Sequence, residues 1–593
     1  MALELAPAIQ SPSTNSWKPK THSLEEIIAQ GRAQPAPFRG GLLLCLATGL
    51  LMWAAFPPFD LGFLAWVCLA PLGVLARLEH PTRRMYWSAY LGGLMFWVPA
   101  LQWMRLGHAY MYGAWAALAL YMAVYFPVAL WLTRVAVWRV RLPLSVALPV
   151  TWTGLELLRG FLMTGFAWYY LGHTQYRFTN LVQIADLGGG YLVSFLVAAL
   201  GGCLAELPTE AWLRSSGLVP PHIVSSIASP SRRGLTWRIA SCLVLFVAAC
   251  GYGMVRRAGD PFEPGPRVAL VQGDFPCELE HDESTWVEIQ RMHERLTGEA
   301  VKGKPQLVVW PETMFRWPLV ETPPEMTDQE LQRAHPNWSI AHLKDPNIAK
   351  RLSDLAQMGQ TGLMVGLTGI ELDQQSAQRF NSAVLVQPNG KIEKRYDKLH
   401  RVVFGEYLPL AKDLPSLARM IPYPEGFGIE AGQGFEVYDL AGFRVAPVIC
   451  FEDTVPHLVR DLVRQAHDPV TGRELDVLVN LTNDGWFRGS SEHQQHLVTA
   501  TFRCIETRTP MVRAVNTGIS AIIDGDGVVR ERAPHSRNAV VAGVVPLDPR
   551  RSLYVATGDW FASLCLAGSV LIAARGVTGN SRRPTLRNPA QPA

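Results

Sequence analysis

The sequence predicts two architectures in one chain: a polytopic α-helical membrane part of about eight transmembrane helices, and a soluble α/β layered domain placed before the last of them. Three observations predict it. Apolar stretches near bilayer length recur through the first 256 residues and return near 560–574. Charged residues make up only 18% of the 593, against 49% hydrophobic; soluble proteins carry roughly 25% charge, so the deficit marks membrane content. Between 266 and 550, by contrast, β-rich apolar runs alternate with helical stretches.

Residues 1–38 carry Pro, Ser and charge without an apolar core that ends at a cleavage site, which predicts a cytoplasmic tail and not a signal peptide. Seven spans are expected within 39–256, near 40–59, 61–76, 85–104, 110–133, 142–160, 187–205 and 239–255. An eighth is expected within 553–577, followed by a second tail at 578–593. Basic residues set the orientation. Arg83 and Arg84, then Arg134, Arg139 and Arg141, then Arg232, Arg233 and Arg238, and finally Arg575, Arg582, Arg583 and Arg587 fall in alternate loops. Both termini are thus expected in the cytoplasm, with 257–552 on the far, periplasmic side. Glu156 and Arg159 share one face of the fifth span. They either pair with each other near the interface or meet a lipid headgroup. The aromatic run WYYLGHTQY (168–176) is expected at the bilayer interface, without chemistry.

Net charge is only +4, and the basic residues sit beside apolar segments, which argues against a nucleic-acid partner. Six of nine cysteines (Cys45, Cys68, Cys203, Cys242, Cys250 and Cys565) lie in apolar spans, where a thiol is a small hydrophobe. Cys277, Cys450 and Cys504 show no regular spacing, so neither a disulfide framework nor a metal site is expected, and no cofactor. His493 and His496 stand three apart, but with no third ligand nearby they read as a helical surface.

In the soluble block, strands are expected at 267–274, 305–312, 361–371, 382–398, 444–453, 475–484 and 511–529. Turns are expected at 388–390 and 524–527, and helices over 284–302, 346–358 and 491–509. Three strings close strands: WPET around Glu312, YDKLHRVVFGE around Lys398 and PVICFED around Cys450. Singly, each residue reads as a cap, a surface charge or a core thiol. Together they supply a carboxylate base, a fixed cation and a thiol nucleophile, the parts that move an acyl group through a thioester.

Those strings, in that order, resemble the Glu–Lys–Cys signature of the nitrilase superfamily of carbon–nitrogen hydrolases, over roughly 266–550. Glu406 within FGE, the segment TNDGWF (482–487), the Gln495-His496 pair, Arg503 and Glu506 fit the same pattern. Seven expected spans before this block, one after it, and the ending YVATGDW (554–560) narrow the resemblance to the membrane branch, the bacterial apolipoprotein N-acyltransferases. The resemblance implies a nitrilase-like α-β-β-α sandwich. It also implies transfer of a fatty acyl chain from a membrane phospholipid, through a Cys450 thioester, to the N-terminal diacylglyceryl-cysteine of an apolipoprotein, at the periplasmic face of the inner membrane. The implied partners are therefore the phospholipid donor, the apolipoprotein acceptor and the lipid bilayer.

Within that scheme Glu312 is the base, and Lys398 with the Phe451 backbone N–H stabilises the oxyanion. Glu406 and Glu452 support them. The chain departs from the family at His281, where a Trp is expected (Trp286 lies a few residues on), and at Phe451, where a Tyr is common; both positions would touch substrate. The Pro-broken loop 407–428 carries Leu408, Leu410, Leu414, Leu417, Met420, Ile421 and Tyr423, and either covers an acyl chain as a lid or packs on the core. The leading alternative is a membrane-anchored nitrilase-type amidase that hydrolyses small amides, although one helix would suffice to anchor it. A non-catalytic transporter or scaffold is the other. The segments 317–345 and 207–235 receive no role.

Overall fold

The computed structural model describes residues 38–79, 82–109, 111–218, 227–278, 281–408, 428–487, 489–534 and 537–578. Among them, three helices are long and apolar enough to cross a membrane: Met111–Val140, Arg232–Arg257 and Trp560–Thr578. The pair Thr179–Gly188 and Gly190–Ala205, bent by 119°, passes the same test jointly. The other expected spans are shorter or broken helices. Residues 62–76 fall into three pieces, and Leu144–Arg159 has 16 residues between Pro143 and Gly160. Length and composition therefore support three or four crossings, fewer than the eight expected.

Small residues let these helices approach closely. A Cβ on Gly92, in Arg83–Ala100, would stand 2.4 Å from the Cys45 carbonyl of Phe38–Ala55. Basic residues at the helix ends do more than set orientation. Arg134 is buried and donates to the carbonyls of Leu75 (2.9 Å) and Glu79 (3.0 Å), which satisfies the end of a neighbouring helix. The expected Glu156–Arg159 pair does not form. Glu156 accepts from Trp152 Nε1 and Leu171 N, while Arg159 donates to the Trp168 and Tyr169 carbonyls and lies over the Trp97 and Tyr170 rings. Buried backbone groups and aromatic faces compete for the two side chains, and Glu156 Oε2 accepts no hydrogen bond among the described residues.

The α/β domain contains two sheets. The first is built from β1 (Glu263–Gln272), β2 (Leu307–Val309), β3 (Leu319–Glu321), β4 (Gly362–Leu372), β5 (Ala377–Val386), β6 (Tyr396–Asp397) and β13 (Ala539–Leu547), in the order β13-β1-β2-β4-β5-β6, with β3 beside β4. The second is β12-β11-β10-β9-β8-β7, from β7 (Tyr438–Leu440), β8 (Phe443–Ile449), β9 (Val477–Thr482), β10 (Met511–Val515), β11 (Ala521–Ile523) and β12 (Val529–Arg532). In each sheet the central strands run parallel (β1, β2 and β4; β8, β9 and β10) and the outer ones antiparallel, except β3, which runs parallel to β4.

Period-two alternation builds the layers. Val268 and Leu270 face Val479 and Val512 in a core between the sheets. Ala269 and Val271 point the other way, toward Leu296 and Leu352 of the helices Glu283–Ala300 and Pro346–Gly359. On the opposite side, Pro456–Gln465 and Glu492–Thr507 cover the second sheet through Leu462, Leu497 and Cys504. The order is helix, sheet, sheet, helix, as the resemblance implies. The turns expected at 388–390 and 524–527 are present, and a further break at 516–520 separates β10 from β11. β13 was not expected, because its burial is only partial and its alternation weak. The segment 317–345 carries β3 and two short helices over a satellite core of Leu331, Ile340, Ile370 and Leu372.

Buried ion pairs join the domain to the helical part. Asp186 accepts from Arg508 (2.6 Å) and Arg256 (2.9 Å), and Arg508 also reaches Asp526 at 2.9 Å. The run 168–176, expected at the lipid interface, is instead largely buried along this joint: Trp168 packs 5.5 Å from His496 and 6.4 Å from Phe451. Arg508→Met should lower stability by about 1–3 kcal/mol, because its buried bonds to Asp186 and Asp526 are lost while Arg256 and Arg550 still pair with those carboxylates. Thermal unfolding in nanodiscs reads this.

Candidate active site

The three strand ends converge. β2 leads through Trp310 and Pro311 to Glu312, β6 hands over directly to Lys398, and β8 runs into Cys450, the first residue of the 3-10 turn Cys450–Thr454. Gly366 on β4 makes room, since a Cβ there would lie 2.6 Å from Glu312 Cα. Cys450 has φ of +51°, a left-handed conformation that costs a non-glycine residue about 1–3 kcal/mol and breaks the strand at the thiol.

Lys398 Nζ lies 2.7 Å from Glu406 Oε1 and 3.5 Å from Glu312 Oε1, and the Cys450 thiol hydrogen-bonds Glu312. Asn381 on β5 was not foreseen. Its Nδ2 donates to Glu312 Oε1 (2.6 Å) and Glu406 Oε1 (3.1 Å), so one amide fixes both carboxylates. Glu406 Oε2 is held in turn by the Val402 N–H at 2.7 Å. Glu452 accepts from Leu399 N, His400 N, Tyr396 Oη and Ile449 N at 2.7, 3.1, 2.8 and 2.7 Å. Those four donors occupy a carboxylate's lone-pair sites and tie the Lys398 segment to the Cys450 turn.

Burial raises the Glu312 carboxyl above its ordinary range, against the opposing pull of Lys398, and the Glu406 charge adds to the rise. Burial and then the Glu312 charge push the Cys450 thiol well up, with Lys398 opposing. Burial alone would depress Lys398, but the Glu406 and Glu312 carboxylates more than reverse that and keep it an ammonium. At rest the proton therefore sits on sulfur, beside a base and a fixed cation. That arrangement can generate a thiolate and stabilise an oxyanion.

Phe451 stacks between His400 (5.6 Å) and Trp168 (6.4 Å), and Phe487 meets Trp103 edge-on at 4.7 Å. The helical part thus supplies half of an aromatic wall beside the thiol. His281 packs edge-on against Trp286 at 5.3 Å, and Trp286 belongs to a small core with Phe275, Ile289 and Met314. Leu410, Leu414, Leu417, Met420, Ile421 and Tyr423 lie outside the described residues; Leu408 is half-buried.

The two histidines of the 493–496 run are buried, not on a helical surface. His493 bonds the Asp484 carbonyl at 3.0 Å, and His496 lies between Asp453 (2.8 Å) and Asp484 (2.9 Å). Asp484, Glu492 and His496 are close enough to hold a cation. Both His496 nitrogens are engaged by carboxylates, however, and Arg513 faces the same two aspartates, so the group neutralises itself.

Two family models match the chain. The apolipoprotein N-acyltransferase N-terminal domain covers residues 48–203, and carbon-nitrogen hydrolase covers 267–552. An apolipoprotein N-acyltransferase of Geobacter metallireducens is 33% identical over 550 residues, which span 90% of this chain and 95% of the relative. The chain belongs to the apolipoprotein N-acyltransferase family. Family members from Rhodopirellula baltica (27% identical, covering 88% of this chain and 95% of theirs) and Azotobacter vinelandii (30%, 85% and 89%) match over similar lengths.

In this member of the apolipoprotein N-acyltransferases, Lys398 is the group that pulls the thiol down. Lys398→Met should therefore raise the thiol further and slow iodoacetamide alkylation of Cys450 at pH 8 at least about tenfold, read by peptide mass spectrometry. Because the thiol is pushed up, alkylation of the unmodified protein should go on accelerating with pH beyond ~8.5, the usual cysteine midpoint, where a free thiol levels off.

Proposed function

We propose that the chain transfers a fatty acyl group from a membrane phospholipid to the α-amine of a diacylglyceryl-cysteine at the N-terminus of an apolipoprotein. One observation carries this reading: the N-acyltransferase membrane domain and the carbon–nitrogen hydrolase domain occur in one chain, with Glu312, Lys398 and Cys450 gathered at the strand ends of the second. The names of its relatives across most of their length support it.

Glu312 takes the proton from Cys450, and the thiolate attacks the ester carbonyl. The Lys398 ammonium and the Phe451 N–H stabilise the oxyanion, where losing one donor typically costs ~2.7–4 kcal/mol of barrier. The lysophospholipid oxygen leaves with the proton from Glu312, and the acyl group remains as a thioester. The acceptor amine then attacks, Glu312 removes its proton, and collapse of the second tetrahedral intermediate forms the amide and releases the thiolate for reprotonation. Glu406 and Asn381 hold the Lys398–Glu312 pair, and Glu452 holds the two loops; none of these three moves a proton. The wall of Trp103, Trp168, Phe451 and Phe487 supports transfer over hydrolysis, because apolar walls keep water from the thioester.

The same reading has eight crossings, some built from short or bent helices, in a bacterial inner membrane, with both termini cytoplasmic and residues 257–552 periplasmic. The 407–428 loop covers the acyl chain. A small-amide amidase is disfavoured, since its substrate needs neither the membrane domain nor an aromatic wall supplied by it.

Nanodiscs of phospholipid test the scheme. Incubation without acceptor should leave a fatty acyl mass on Cys450 that hydroxylamine removes, and Cys450→Ala should abolish both this adduct and acylation of a diacylglyceryl peptide. Full transfer by Cys450→Ala would refute the thioester route.

A further inference from the structure

The buried ion cluster behind the nucleophile turn has no part in the mechanism above. Asp453 lies three residues after Cys450, on the same 3-10 turn; Asp484 follows β9; His496 and Arg513 come from Glu492–Thr507 and β10. All four side chains are essentially inaccessible. His496 Nε2 bonds Asp453 Oδ1 at 2.8 Å and Nδ1 bonds Asp484 Oδ1 at 2.9 Å, so the ring donates at both ends and is an imidazolium. Arg513 bonds Asp453 Oδ2 and reaches Asp484 Oδ2 at 3.5 Å. Two aspartates thus face two cations, and Glu492, its carboxyl pushed well up by burial and by the Asp484 charge, lies 3.5 Å from the ring. Trp168 packs on the imidazole and keeps the cluster dry.

One polar group links this cluster to the reacting sulfur. Thr482, buried at the end of β9, donates its hydroxyl to Asp484 Oδ1 at 2.9 Å, and the parallel pairing of Ile449 with Leu481 sets it beside Cys450. A hydroxyl has one hydrogen. While sulfur carries its proton and shares it with Glu312, Thr482 gives its hydrogen to Asp484. Once a thiolate forms, the hydrogen is worth more on sulfur, because hydrogen bonds to charged groups are the strong ones. The turn is cheap only if Asp484 keeps other donors, and His496 and Arg513 supply them.

We propose that Thr482 is a further catalytic residue, a hydroxyl that rotates from Asp484 to the Cys450 sulfur as the thiolate forms, and that His496 is its positioning residue, holding Asp484 satisfied while it does so. The inference deepens the thioester reading and rests on Cys450 as nucleophile. The charged groups facing the sulfur are Glu312 from the β2 exit, Lys398 from the β6 exit and Asp484 from the β9 exit; Thr482 is the neutral donor among them.

The test is the pH profile of Cys450 alkylation by iodoacetamide in the full chain in nanodiscs, read by peptide mass spectrometry. This measures thiolate formation without acyl transfer, so its failure is distinct from failure of the proposed reaction. Thr482→Val keeps the shape and removes the hydroxyl; it should slow alkylation about tenfold or more at neutral pH and move the profile to higher pH. Thr482→Ser should restore the profile to within about twofold of the parent. His496→Phe should reproduce the Thr482→Val shift, and the double variant should be no slower than either alone, since both act through one hydroxyl. An unchanged profile in Thr482→Val, equal profiles for the Val and Ser variants, or additive losses in the double variant would each overturn the proposal. If His496→Phe does not fold, the Val and Ser pair decides alone.

Discussion

Glu452 accepts hydrogen bonds from the backbone of Leu399, His400 and Ile449 and from the Tyr396 hydroxyl, and the geometry of the site depends on it. Lys398 and Cys450 come from the ends of strands in different sheets, and nothing in sheet pairing fixes their separation. A carboxylate with four donors and no access to water does, because moving either segment would strand buried polar groups. Asn381 does the same for the Glu312 and Glu406 carboxylates. The reacting groups sit on strained or short connections, and their precision comes from buried polar groups that bridge those connections.

A second constraint is the charge within the joint. Asp186, Arg256, Arg508, Asp526 and Arg550 form one network that crosses from the helical part to the α/β domain. Such a network adds little net stability over apolar packing, but it fixes register, since its partners satisfy one another in one arrangement only. Trp168, Trp103 and Phe487 then meet in that fixed register, and the aromatic wall beside Phe451 follows from it.

The layered domain and the Glu312–Lys398–Cys450 set were legible in the sequence because each rests on local signals: alternating strands, turn residues and short strings at strand ends. Asn381 and the Asp453–His496–Asp484 cluster were not legible. Asn381 sits in an ordinary strand, and a His three residues from another His looks the same on a wet helix as on a buried one. Only tertiary placement tells the two apart. The aromatic run 168–176 was misplaced for a related reason. Trp and Tyr suit a lipid interface and a buried protein joint equally, since both offer apolar surroundings with polar partners at the edge. Composition marks apolar segments but not where Pro and Gly break them, which is why eight spans are expected and three or four are long enough by themselves.

The buried joint also bears on how two bulky amphiphiles can use one thiol. A domain that swung away from the helices would break the buried Arg508–Asp186 pair and unpack Trp103 from Phe487. In the proposed reaction the aromatic wall beside Cys450 therefore keeps its shape, and donor and acceptor would meet it in turn. The spent lysolipid of that reaction would return to the bilayer before the next guest entered, as in a turnstile whose alternation is set by its rigidity.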